Sequence, residues 1–260
     1  MLDILVNTPP WDWPEDAGES LQAILVDRTR TPEDRLLAAE LCGDFVVASE
    51  EMASALLAIA RDPAEAPELR GRSAVSLGPM LEDADTNLPE FPEDIEISSE
   101  TFELLKVALR SLYDDEDAPT FLRRMALEGA VRAQADWLGP AIRAAWADGD
   151  PDWRLTAVFC MNFVAGFETE IIAALGDPDP IIKNWAVVAA GTWELKEAWF
   201  VVSSILKDET EDKDMLLAAI EAAPLIRPRE AFGLLDRFLD SPDPDLEEAA
   251  HEALSMIPED

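Results

Sequence analysis

One phrase returns along the chain and limits what it can fold into. In DPDPIIKNWAVVAAG, residues 177–191, a proline is followed three places on by a base, then by small apolar residues and a glycine. With Lys183 as the anchor, the pattern answers at Arg35, Arg70, Arg123, Arg154, Asp214 and Glu247, at spacings of 35, 53, 31, 29, 31 and 33 residues. Apart from the second, these spacings suit a unit of two helices that buries its apolar face by stacking on its neighbours. Pro32, Pro67, Pro151, Pro180 and Pro244 fall in the first helical turn, where a missing N–H has no intrahelical partner to lose. Ala38, Ser73, Ala126, Ala157, Ala186 and Ala250 let neighbouring helices close on one another, and Gly43, Gly78 and Gly191 read as helix ends. Amphipathic stretches such as SEEMASALLAIARD and FETEIIAALGD supply the partner helices.

These second helices, written DPxPxVRxxAxxALG in outline, resemble those of HEAT-like repeat proteins of the phycobilisome-lyase type, over residues 16–257. The resemblance implies an all-α chain, an α/α superhelix or HEAT-like solenoid of about seven helix pairs, with second helices lining a concave face. It also implies that each anchor base bridges to an acid or carbonyl of an adjacent repeat. Asp214 and Glu247 are acids, so that bridging is expected to fail in the last two repeats. Residues 1–15, with Trp11 and Trp13, are expected to cap the stack, and residues 258–260 to form a tail. The long second spacing holds an acidic insertion, residues 82–100, with eight acids and no base, expected to project as a mobile loop.

Charge narrows the functions. With 55 acids against 20 bases the net charge is −35, which opposes nucleic-acid phosphates and anionic lipid and favours a basic or amphipathic protein segment as partner. No apolar run approaches the ~20 residues that span a bilayer, and a cytoplasmic protein is expected. Cys42 and Cys160 stand in apolar helical patterns and read as small buried hydrophobes.

The usual catalytic constellations are missing. His251 is the one histidine, and with Glu252 it makes a single His-Glu pair. HEAT-repeat deoxyhypusine hydroxylases bind iron through paired motifs of this kind, and one pair cannot build such a site. Asp83, Asp85, Asn87 and Asp94 have the spacing of a calcium loop, but Leu88 stands where glycine is needed, so the match fails. No catalytic residue, cofactor or metal site is assigned.

The remaining reading is a noncatalytic protein-protein interaction scaffold that holds a partner segment on its concave face. One and five places past the central anchors stand Leu155 and Phe159, Asn184 and Val188, then Met215. They form an apolar stripe flanked by charge and are the expected partner-binding residues. Trp137, Trp146, Trp153, Trp185, Trp193 and Trp199 are expected to fill space between helices. The alternatives are a HEAT-like enzyme, a lyase-type protein that binds a chromophore or client, and an acidic mimic of nucleic acid.

Overall fold

The repeat phrase becomes paired helices. A computed structural model describes residues 1–87, 95–208 and 210–257, and among these every regular element is helical. Two compact units, Met1–Ala141 and Ile142–Asp260, divide the run that the repeats treat as one domain. In the first unit a short α1 (Leu2–Val6) is followed by the pairs α2 (Ala17–Val26) with α3 (Pro32–Leu41) and α4 (Glu50–Arg61) with α5 (Pro67–Val75). After α6 (Gly78–Asn87) comes a third pair, α7 (Ser99–Asp114) with α8 (Thr120–Ala130). The helix α9 (Leu138–Ala147) begins in the first unit and ends in the second. In the second unit follow α10 (Pro151–Cys160), then α11 (Glu168–Ala174) with α12 (Pro180–Thr192). The last two pairs are α13 (Trp199–Ile205) with α14 (Lys213–Ile226) and α15 (Pro228–Leu235) with α16 (Pro244–Ser255). Second helices pack on second helices, α3 on α5 on α8 in one unit and α10 on α12 on α14 on α16 in the other, the stacking of an α-solenoid.

Turn chemistry sets the length of each pair. Asp27, Asp62, Asp115, Asp148, Asp177 and Asp208 each follow a first helix, and each side chain accepts the N–H two residues on. Thr31, Asp150, Asp179, Asp212 and Asp243 then cap the second helices by accepting an N–H inside the first turn. Proline directly after the cap fixes φ for entry into α3, α10, α12 and α16.

The anchor base sits four places past that cap and closes the pair. The Nε of Arg35, Arg70 and Arg123 donates to a carbonyl ten residues earlier, Leu25 at 2.9 Å, Ala60 at 3.0 Å and Tyr113 at 2.9 Å. Those carbonyls lie in the last turn of the first helix, where no intrahelical donor reaches them. Repeats are joined through the turns. Arg35 grips Glu65 with Nη1 and Nη2 at 2.7 and 3.0 Å, and Arg154 Nε reaches Asp177 at 2.7 Å. At Asp214 the expected failure of this bridging does not occur, because Lys213, one place earlier, reaches Asp243 at 2.8 Å and Asp245 at 2.6 Å.

Packing extends one expectation and corrects another. Ala38, Ser73, Ala126, Ala157, Ala186 and Ala250 are fully buried, as close helix approach requires, and Gly191 stands at the end of α12, one residue before its last, Thr192. A Cβ there would also stand 2.8 Å from the Ala222 Cβ of α14, so only hydrogen fits between the two helices. The acidic insertion is anchored at both margins. Residues 82–87 complete α6, whose Met80, Leu81 and Ala84 are buried, and Ile97 is buried just before α7. Arg132 pairs with Glu82, and Glu50 binds the Ser98 N–H and the Thr101 hydroxyl. The helix also dismantles the calcium spacing, since Asn87 donates to Asp83 one turn back and Asp85 points elsewhere, accepting from the Gln134 N–H. Residues 88–94, with Asp94, and the tail 258–260 lie outside the described residues. Among those described, no helix is long and apolar enough to cross a membrane.

Candidate functional site

The second helices of the C-terminal unit present one continuous set of equivalent positions, and the capping aspartates give its register. Five places past Asp150, Asp179, Asp212 and Asp243 stand Leu155, Asn184, Leu217 and Glu248; nine places past stand Phe159, Val188, Glu221 and Glu252. Leu155, Phe159, Asn184, Val188 and Leu217 are half-buried, whereas Glu221, Glu248 and Glu252 are exposed. The face therefore changes character along the stack, from aromatic and aliphatic on α10 and α12 to acidic on α14 and α16.

Its apolar part is built from stacked rings. Phe159 and Trp185 meet edge to face with ring centres 4.9 Å apart and an interplanar angle of 88°, and the Phe163 ring centre lies 5.4 Å from that of Phe159. Such edge-to-face pairs add about 0.5–1.5 kcal/mol beyond the area they bury. Nearby, Arg154 lies 3.8 Å over the Trp146 ring while Asp177 holds its Nε, and the Trp193 indole donates to the Met161 carbonyl at 2.7 Å. In the other unit Trp137 stacks on Tyr113 at 5.3 Å. All six of these later tryptophans, Trp153 and Trp199 included, are half-buried rather than core.

The acidic part holds a perturbed carboxyl. Glu221 reaches solvent, yet the packed atoms around it strip part of its hydration, and this raises its pKa; the Glu252 charge on the next helix raises it further. A carboxyl that keeps its proton to higher pH beside an acidic neighbour is a group to which a cation would be drawn and from which a proton can be delivered.

Of the five residues assigned from sequence, Leu155, Phe159, Asn184 and Val188 stand at these half-buried positions and Met215 does not. Met215 is only 4% exposed and belongs to the core. The cause is register: the repeat phrase makes Asp214 the anchor of α14, but the Asp212 cap puts Leu216 at that place, two residues on. Leu217 and Glu221 are the true counterparts of Asn184 and Val188. Reading each second helix from its capping aspartate instead of its base finds them from sequence.

No family model matches the chain. Over 216 residues it is 23% identical to deoxyhypusine hydroxylase-B of Oryza sativa subsp. japonica, an alignment covering 80% of this chain and 72% of the relative. Among solved structures it is similar to human deoxyhypusine hydroxylase, with 16% identity, 94% of this chain and 96% of that one covered, and a TM-score of 0.40. A designed armadillo repeat protein compares at 13% identity, 92% and 99% coverage and a TM-score of 0.38. The alignment with the rice enzyme overturns the expectation of a noncatalytic scaffold and backs the enzymatic alternative.

Proposed function

We propose that the chain is a HEAT-like enzyme acting on a cationic side chain carried by a protein client, with the second-helix face of the C-terminal unit as its site. The observation that carries this is that Glu221 and Glu252 continue, on α14 and α16, the row of equivalent positions that holds Phe159 on α10 and Val188 on α12. The apolar part offers contact area to a client segment, and the acidic part offers a place for its charge. The relative's name supplies the precedent of an amine-bearing substrate, deoxyhypusine.

The iron of the hydroxylases does not fit these residues. The chain has a single histidine, and among the described residues no cluster of three or more His, Cys, Asp or Glu side chains is arranged to hold a metal ion. The chemistry assigned to the chain is therefore proton transfer. Glu252 attracts the substrate cation, and Glu221, protonated to higher pH than an ordinary glutamate, donates to or accepts from the reacting group. The narrower, phycobilisome-lyase form of the resemblance would replace the amine with a chromophore-bearing client.

Incubation with the chain in D2O, followed by return to H2O and intact-mass spectrometry of a deoxyhypusine-bearing protein and of lysine-rich proteins, tests the reading, because a proton removed from carbon and returned from solvent is kept as deuterium. We expect a mass change with the wild type that Glu221→Gln abolishes while circular dichroism stays unchanged. Equal turnover by Glu221→Gln, or no turnover of any cationic client, refutes the assignment.

A further inference from the structure

A second feature lies in the N-terminal unit and does not rest on the enzymatic reading. Trp13 is tied back to the chain that precedes it, its Nε1 donating to the Leu5 and Thr8 carbonyls at 3.0 and 2.9 Å. So held, its ring walls two adjoining hollows. One, of about 700 Å³, lies between the start of α2 and the segment following α3, with Val46 and Val47 on its apolar side. The other, of about 470 Å³, lies against α1 and the end of α3. Phe45, in sequence between Asp44 of the second hollow and Val46 of the first, is 70% exposed, and Val46 is 43% exposed. Surface aromatics and aliphatics gathered at concave ground mark interaction sites.

The charge around these hollows is of one sign. Glu15, Glu19 and Glu51 line the first, Glu40 and Asp44 the second, and among the described residues no lysine, arginine or histidine lines either. Asp44 is partly engaged, since its side chain accepts the Val46 N–H at 3.0 Å, and it thereby fixes the turn that presents Phe45 and Val46. An acidic or neutral apolar segment would bring its apolar residues here against repulsion or without attraction. A basic one meets complementary charge on both rims.

We propose that this surface docks a basic protein segment in which one bulky apolar residue enters the larger hollow against Trp13, Val46 and Val47, while flanking lysines or arginines meet Glu15, Glu19 and Glu51. The carboxylates steer and orient the segment; the apolar residue supplies most of the holding energy. The site is thus distinct in both unit and composition from the face around Glu221.

Fluorescence anisotropy with a labelled peptide, Leu-Phe flanked by lysines, measures the binding, and the same peptide with glutamates for lysines is the control. We expect the basic peptide to bind the whole chain with an affinity that falls as salt rises, and the acidic one not to bind. Val46→Asp and Glu19→Lys, both at exposed positions and checked by circular dichroism, should each weaken binding about tenfold. A photoreactive group on the phenylalanine should label residues within 1–51. The proposal is overturned if the basic peptide does not bind, if either folded variant binds as the wild type does, or if the label falls outside that segment.

Discussion

Arg35→Met separates the two roles assigned to the anchor base. Methionine keeps most of the side-chain length and apolar contact, so the loss is chiefly of donors. Arg35 and Glu65 are nearly buried, with side-chain exposures of 9% and 8%, and the pair is bidentate. The change also strips the Leu25 carbonyl of the Arg35 donor at 2.9 Å. Removing one member of a buried, hydrogen-bonded ion pair costs about 3–5 kcal/mol. Arg28 stays 3.0 Å from Glu65, so the lower end, about 3 kcal/mol, is expected. Urea denaturation of the wild type, Arg35→Met, Glu65→Gln and the double variant measures both the loss and the coupling. The pH dependence has a definite sign. The Arg35 hydrogen bond, followed by the Arg35 and Arg28 charges, holds Glu65 below its usual 4.5, so its contribution is complete above that value and is lost as pH falls through the lowered one. The gap between wild type and Arg35→Met should therefore narrow below about pH 4.5. A loss under about 1 kcal/mol at neutral pH, the scale of a surface pair, would refute the account.

Four further outcomes follow from packing, backbone and burial. Gly129→Ala should cost about 1–3 kcal/mol in urea denaturation, because its Cβ would stand 2.6 Å from the Ala74 carbonyl oxygen between α8 and α5. Gly139→Ala meets nothing within 4 Å and should instead gain up to about 1 kcal/mol. Glu194 follows α12 with φ of 52°, where Glu194→Gly should raise stability by roughly 0.5–1 kcal/mol in the same assay. Burial pushes the Cys42 thiol up to about 12, so it should resist a disulfide reagent in the folded chain and react at once in urea.

What could be read from sequence was what local chemistry dictates. The caps, first-turn prolines and small residues are short-range signals, so helix starts such as Pro32, Pro151 and Pro244 stand where the phrase put them. Register within a helix was harder. In α14 an acid occupied the apparent anchor, and Ala218 and Ala219 satisfy the small-residue pattern in either phase, so the stripe was drawn through buried Met215 instead of Leu217. Long-range contacts could not be read at all. Nothing local says that the acidic stretch after Gly78 begins as a helix held by Arg132, or that Gly191 faces Ala222 across a helix junction. Nor does any short motif join Glu221 to Glu252, which are 31 positions apart and meet only because α14 and α16 stack.

The acidity itself divides by use, and that division decides what can be argued from a charge of −35. Six aspartates close the turns after first helices, where the needed property is a short side-chain acceptor rather than a charge. Further aspartates cap second helices, where a negative charge is favoured by the helix dipole, and Glu65, Asp177 and Asp243 join repeats by pairing with bases. Because each repeat spends several acids in this way, a stack of such repeats becomes strongly acidic before any partner is involved. Total charge is therefore weak testimony about a ligand. The informative carboxylates are those at concave or partly dehydrated places: Glu221 with Glu252 on the stacked helices α14 and α16, and Glu15, Glu19 and Glu51 around the hollow that Val46 lines. There a cation would relieve a cost that folding alone leaves in place, whereas at the turn aspartates the backbone N–H has already done so.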